Sequence, residues 1–152
     1  MKEYKDFKDF YYKSFELAKI ATNKINNSEG AIIFARNHFK RSDLNSFYII
    51  GNLSVEQENL LKSNTRIIKF SVDSLVKNII KHPEIEFQDY YKINDIITKP
   101  DKIRLSKSNN NSILLMKKEN KYYQVVIKTT IDKKENYLTS FRMLSEEEFI
   151  KQ

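Results

Sequence analysis

KIRLSKSNNNSILLMKKENKYYQVVIKTTIDKKENYLTSFRML, residues 102–144, decides how this chain folds. It reads as four short strands, at 103–105, 112–117, 121–129 and 137–143. Polar segments separate them: Lys107-Ser108-Asn109-Asn110-Asn111, then Lys118-Glu119-Asn120, then Asp132-Lys133-Lys134-Glu135-Asn136. Short β-rich runs joined by Asn-rich turns mark an antiparallel meander. In the third run Tyr123, Val125 and Ile127 alternate with Gln124, Val126 and Lys128, so one face packs on a core while the other presents a lysine. In the fourth run Leu138, Ser140 and Arg142 are set against Tyr137, Thr139 and Phe141. A sheet face offering Lys, Arg and hydroxyls is equipped to hold a phosphate.

Upstream of the meander, residues 4–21 read as a helix. Tyr4, Phe7, Tyr11, Phe15 and Ala18 recur at helical spacing as a core-facing stripe. Asn26-Asn27-Ser28-Glu29-Gly30 reads as a loop, and 31–34 as a short apolar run that starts a strand or a helix. Residues 47–50 read as a strand ended by Gly51. Ser54 with Gln57 three positions on has capping-box spacing, and Leu60 and Leu61 are the inward positions of the helix it opens. A further strand is expected at 66–70. Ser71 is a good N-cap for a helix whose stripe is Leu75, Val76, Ile79 and Ile80. His82 falls three after Ile79, on the same side, and Pro83 stops the helix. The negative helix end favours the imidazolium and burial opposes it, so titration is expected near neutral pH, where a general acid or base works. The plainer reading is that His82 merely caps helix carbonyls. Residues 89–97 read as short helical turns and Lys99-Pro100-Asp101 as a turn into the meander. Ser145-Glu146-Glu147-Glu148 opens a last short helix, acidic at its positive end.

With 152 residues, 40% hydrophobic and 31% charged, the chain is long enough for one globular domain with a real core. Two glycines leave no phosphate-cradling glycine loop, and zero cysteines exclude disulfides, thiolate nucleophiles and Cys-based zinc sites. Two histidines make a His-rich metal site a poor expectation. The first residues carry no apolar signal region and no run of about 18 apolar residues occurs, so a cytoplasmic protein with no membrane partner is expected. Net charge is +7, of which +5 falls in residues 99–152, with 12 Lys/Arg against 7 Asp/Glu. Such a bias points to a polyanion, most often nucleic acid, although abundant Lys, Asn and Ile would also follow from an AT-rich genome. Arg36, Phe39, Lys40 and Arg41 form a basic, aromatic patch suited to RNA, or else a solvated helix end. Arg104 and Lys117 are further expected nucleic-acid contacts.

Several phrases resemble, in order and spacing, one nuclease family. They are Phe47-Tyr48-Ile49-Ile50-Gly51-Asn52-Leu53-Ser54, Lys81-His82-Pro83-Glu84, Asp89-Tyr90 with Ile96-Ile97, and Lys99-Pro100-Asp101-Lys102-Ile103. Tyr122-Tyr123-Gln124-Val125-Val126-Ile127-Lys128 and Glu135-Asn136-Tyr137-Leu138-Thr139-Ser140-Phe141-Arg142 complete the set. Together, over roughly residues 47–145, they resemble the phage-borne domains of the barnase–EndoU–colicin–RelE (BECR) superfamily. The resemblance implies an α+β fold, a helical layer packed on a four-stranded antiparallel C-terminal sheet, in agreement with the strand reading above. It sets a domain at 46–152 behind an N-terminal helical extension at 1–45. It also implies metal-independent, cofactor-free RNA cleavage by 2′-OH attack, leaving a cyclic phosphate.

By that resemblance His82 matches the helix-terminal general acid/base and Lys128 the phosphate-neutralising base of the third strand. Thr139 or Ser140 matches the hydroxyl of the last strand, and Arg142 would clamp the phosphate with two donors. Strict alternation puts Ser140 with Arg142 on one face and Thr139 on the other, unless a bulge intervenes. The implied partners are RNA, tRNA among them, and an immunity or antitoxin protein. The implied setting is the cytoplasm of a host cell, with the chain phage-encoded or delivered. Two other functions fit the same residues: a catalytically silent phage or toxin-like module that inhibits a host protein, and simple nucleic-acid binding through the basic face.

Overall fold

Asp6 sets the first helix boundary, because its carboxylate accepts from the Lys8 amide at 2.9 Å. The computed structural model describes residues 1–107 and 111–152. In chain order the elements are β1 (Glu3–Tyr4), α1 (Phe7–Lys24), α2 (Ser28–His38), α3 (Arg41–Leu44), β2 (Phe47–Asn52), α4 (Val55–Leu61), β3 (Ile67–Ser71) and α5 (Val72–Lys81). A 3-10 turn (Phe87–Lys92) follows, then α6 (Ile93–Thr98), β4 (Lys102–Leu105), β5 (Ser112–Lys118), β6 (Tyr122–Thr129), β7 (Asn136–Leu144) and α7 (Glu146–Lys151). By contact the chain divides into two units, one of Met1–Ile49 with Phe70–Phe87, the other of Ile50–Lys69 with Gln88–Gln152.

The meander is present as the antiparallel strands β4 to β7, but the sheet is larger than four strands. Its order is β1-β2-β3-β7-β6-β5-β4, seven strands, with parallel pairs at β1/β2 and β3/β7. The expected four-stranded antiparallel sheet is therefore corrected to a mixed one, within an α+β architecture of helices and a sheet. Runs 47–50 and 66–70 are legible as strands, but no local signal says which strand they join. The turn expected at Lys107–Asn111 falls on Ser108, Asn109 and Asn110, which lie outside the described residues.

In the first unit α1 packs on α2 and α5. Its buried face is Phe7, Phe10, Tyr11, Leu17, Ala18 and Ala21. Phe10, fully buried, meets the rings of Tyr4, Phe7, Tyr48 and Phe70 at 5.4–5.9 Å. The helix starts three residues later than expected, since Tyr4 pairs as strand with Tyr48, and Phe15 is largely exposed. The expected loop at 26–30 is the start of α2. Asn27 accepts from the Gly30 amide at 2.6 Å and caps it. α5 is capped by Ser71 and buries Leu75, Val76 and Ile80.

In the second unit β4 to β7 turn one face to helices. Register places Ile113, Leu115, Tyr123, Val125, Ile127, Leu138 and Phe141 on this face, and all are buried. α6 packs on β5 and β6, and α4 on β5. Gln57, held in the capping box of α4, donates to the Ile97 carbonyl at 2.8 Å and ties α4 to α6. Leu61 is buried as expected, whereas Leu60 lies at the surface. Tyr123 donates to Asp89 at 2.7 Å beneath the sheet, and burial with that carboxylate pushes its phenol above the usual range.

The β3/β7 seam is latched by Asn136, fully buried at the start of β7. Its amide donates to the Thr65 and Ile67 carbonyls at 2.8 and 3.0 Å and its oxygen accepts from Ser63 at 2.8 Å. Asn136→Ala strips the buried Ile67 carbonyl of its side-chain donor and leaves Ser63 and Thr65 only their 2.9 Å bond to each other, and an expected loss of about 1–3 kcal/mol follows. Urea unfolding of wild type and variant measures it, and a change under about 1 kcal/mol would show the latch to be dispensable.

Candidate nucleic-acid interface

The opposite face of β4 to β7 carries the cations, and register orders them into rows across the strands. The first row is Lys102, Met116, Gln124 and Arg142; the second is Arg104, Leu114, Val126 and Ser140. The third is Ser112, Lys128 and Tyr137, extended by Lys69 on the parallel neighbour β3. With Lys118, which pairs across from Tyr122 in the row beyond the first, six cations share one face, and Lys128 among them is exposed to solvent.

A bulge in β7 sets this arrangement. Val125 pairs with Phe141 and Val126 with Ser140, but Ile127 pairs with Leu138, so Thr139 is one residue extra. The insertion lets Leu138 and Phe141, three apart, both face the core. It also turns Tyr137 to the cationic face, where unbroken alternation would have buried it with Phe141. Thr139 is half-buried beside Ser140, its hydroxyl donating to the Val126 carbonyl at 3.4 Å. Burial and the neighbouring Glu135 raise the Tyr137 phenol pKa, and Lys69 opposes them. Lys69 itself pairs with Glu135 at 2.8 Å. Past the end of β6, Lys128, Thr130, Ile131 and Asp132 line a shallow open depression.

Arg142 is engaged by Glu148 of α7 at 3.2 Å. Glu148 also accepts from the Ser145 amide; that bond first, and Arg142 second, hold its carboxyl below the usual range. Lys117 lies on the other face with Tyr123, its ammonium donating to the Lys99 carbonyl at 2.6 Å.

His82 belongs to the first unit, where it closes α5. Its amide donates to the Asn78 carbonyl at 2.9 Å and its carbonyl accepts from Ile85 at 3.1 Å. The side chain is about a quarter exposed, and Nδ1 stands 3.8 Å from a Glu84 oxygen. Arg36, in the same unit, makes a two-pronged pair with Asp73 at 3.1 and 3.2 Å, while Lys40 and Arg41 stand exposed at the start of α3. Arg36 also lines an open groove with Lys77 and Lys81. Burial, followed by Lys81 and Arg36, pushes the Lys77 ammonium pKa down.

Sequence reading singled out Lys128, Thr139, Ser140, Arg142 and Arg104 on the strands and set Gln124 on the face of Lys128, and missed Lys69, Lys102 and Tyr137 as members of the same face. Period-two alternation with Arg104 was signal enough for Lys102. Lys69 needed the parallel pairing and Tyr137 the bulge. Among the described residues no group of three or more His, Cys, Asp or Glu is placed to hold a metal ion. No helix among them is long and apolar enough to cross a membrane. Residues 48–151 match the family model described as phage-Barnase-EndoU-ColicinE5/D-RelE like nuclease 3. No curated protein and no solved structure gives a significant match.

Proposed function

The chain belongs to the phage-Barnase-EndoU-ColicinE5/D-RelE like nucleases, and on that footing we propose that it is an endoribonuclease that needs no metal. In the reaction a base takes the proton of a ribose 2′-OH, and the 2′ oxygen attacks the adjacent phosphorus. The bond from phosphorus to the 5′ oxygen breaks, an acid protonates that oxygen, and a cyclic phosphate remains. We assign proton transfer to His82. Lys128 neutralises charge on the phosphorane, Arg142 clamps its oxygens, and Ser140 or Thr139 donates a hydroxyl hydrogen bond. The bulge relaxes the choice between the two hydroxyls, because both stand at the same point of β7. Residues 46–152 are read as the nuclease domain and 1–45 as an extension to it.

One observation carries this reading: Lys128, Ser140 and Arg142 share a single cationic sheet face in a chain of a nuclease family. Incubation with total RNA in EDTA tests it, with product ends analysed for cyclic phosphate. Intact RNA after prolonged incubation overturns it. RNA retained without turnover would leave binding alone. Lys128→Ala is expected to slow cleavage by about 10²-fold, the scale for loss of one preorganised charge donor. It should also flatten the salt dependence of RNA binding by about 0.7 in log–log slope. A variant with wild-type rate and slope would remove Lys128 from the site.

A further inference from the structure

The first row of the cationic face is covered from within its own unit. Lys102, Met116, Gln124 and Arg142 lie side by side on four strands, and α7 fastens to both ends of that row. At one end the Lys102 ammonium donates to the Phe149 carbonyl and sits 4.4 Å from the centre of the Phe149 ring. At the other end Glu148 holds Arg142. The Phe149 ring also packs on Tyr122 at 4.9 Å. The helix therefore runs across the row, and Met116 and Gln124 beneath it are 0% and 5% exposed.

This cover fits its seat poorly. α7 contributes no buried residue of its own. The Gln124 side-chain oxygen is buried without a hydrogen-bond partner among the described residues, as are Arg104 Nε in the next row and the Gln152 side-chain oxygen just past α7. A packed structural helix would leave such groups satisfied. A carboxylate on a guanidinium, above an amide with an idle acceptor, is instead the pattern of a nucleotide site closed by a mimic. The carboxylate occupies the place of a phosphate, and the amide oxygen can accept from the exocyclic amine of a base.

Resting on the ribonuclease reading above, we infer that Lys102, Gln124 and Arg142 form a nucleotide subsite for single-stranded RNA, and that α7 closes it with Glu148 in the place of a phosphate. RNA enters by displacing α7, which frees Arg142 for the phosphate and exposes Gln124 to the base. Lys102 then passes from the Phe149 carbonyl to a neighbouring phosphate.

Glu148→Gln in the full chain tests this. Glutamine at the third position of a helix keeps the capping bond to the Ser145 amide while the charge on Arg142 is lost. The probe is a fluorescent 2′-O-methyl decaribonucleotide, which lacks the attacking hydroxyl and so reports binding alone. The variant is expected to bind it roughly fivefold more tightly, the scale of one surface ion pair released. Adding Gln124→Leu to the variant should give part of that gain back, more for a probe rich in bases with exocyclic amines than for a uridine-rich one. Equal affinity of wild type and Glu148→Gln, with cleavage of natural RNA intact, overturns the subsite and leaves the nuclease reading standing. Failure of both proteins to bind the probe and to cleave RNA overturns both.

Discussion

His82→Ala is expected to lower the rate of RNA cleavage in EDTA by about 10²–10⁴-fold, the usual contribution of a positioned acid or base. The ring is the only part altered. The amide and carbonyl that close α5 belong to the backbone and persist in the variant, and a circular dichroism spectrum like that of the wild type checks that the fold is kept. If the sheet cations carry the affinity for RNA, as proposed, it should fall little. Single-turnover rates with saturating enzyme separate the two, since binding is then no longer limiting. A further mark is the pH profile: an imidazole acting as base or acid gives the wild type a rate change between about pH 5 and 8, and the alanine variant should lose that limb. Unchanged cleavage with an unchanged profile would show His82 to be a helix end and nothing more.

Phe141→Ala is the largest expected loss of stability. Phe141 is fully buried at the centre of β7, with the ring of Tyr90 at 5.3 Å and that of Tyr123 at 5.5 Å. Truncation removes the apolar area of a whole ring and leaves a cavity that neighbouring strands cannot close, which together cost about 3–5 kcal/mol. A domain of this size holds about 5–15 kcal/mol in all, so the variant is expected to melt on the order of 10 °C lower. The loss also loosens the packing under the bulge, on which the register of Thr139 and Ser140 rests. Thermal unfolding followed by circular dichroism measures the shift. A drop below about 3 °C would mean that the sheet is held mainly elsewhere.

Residues 1–45 were read least well. The stripe of α1 was found from Phe7, Tyr11 and Ala18. Phe10 and Leu17, both buried, were passed over in favour of Phe15, which is exposed. A helix carrying aromatic residues at positions 7, 10, 11, 12 and 15 offers two candidate stripes. Only the position of α2 and α5 chooses between them. The loop assigned to 26–30 failed for a different reason. Asn27 caps the following helix through its own side chain, and an Asn-Ser-Glu-Gly sequence has the same composition as a turn.

Local chemistry was sufficient for what depends on neighbours in sequence. The capping boxes at Ser54/Gln57 and Ser145/Glu148, the stop at Pro83 and the four meander strands all follow from spacing of a few residues. The charge bias toward the C-terminal third is likewise a property of the chain itself. What the tertiary structure decided is pairing. It set β3 parallel to β7 and so brought Lys69 into line with Tyr137. It placed one extra residue at Thr139, reversing the faces of everything before it in β7. It also folded α7 back over Gln124 and Arg142. Hydrogen bonds between strands far apart in sequence carry no local signature, and a one-residue shift changes which side chains meet the core and which meet the ligand.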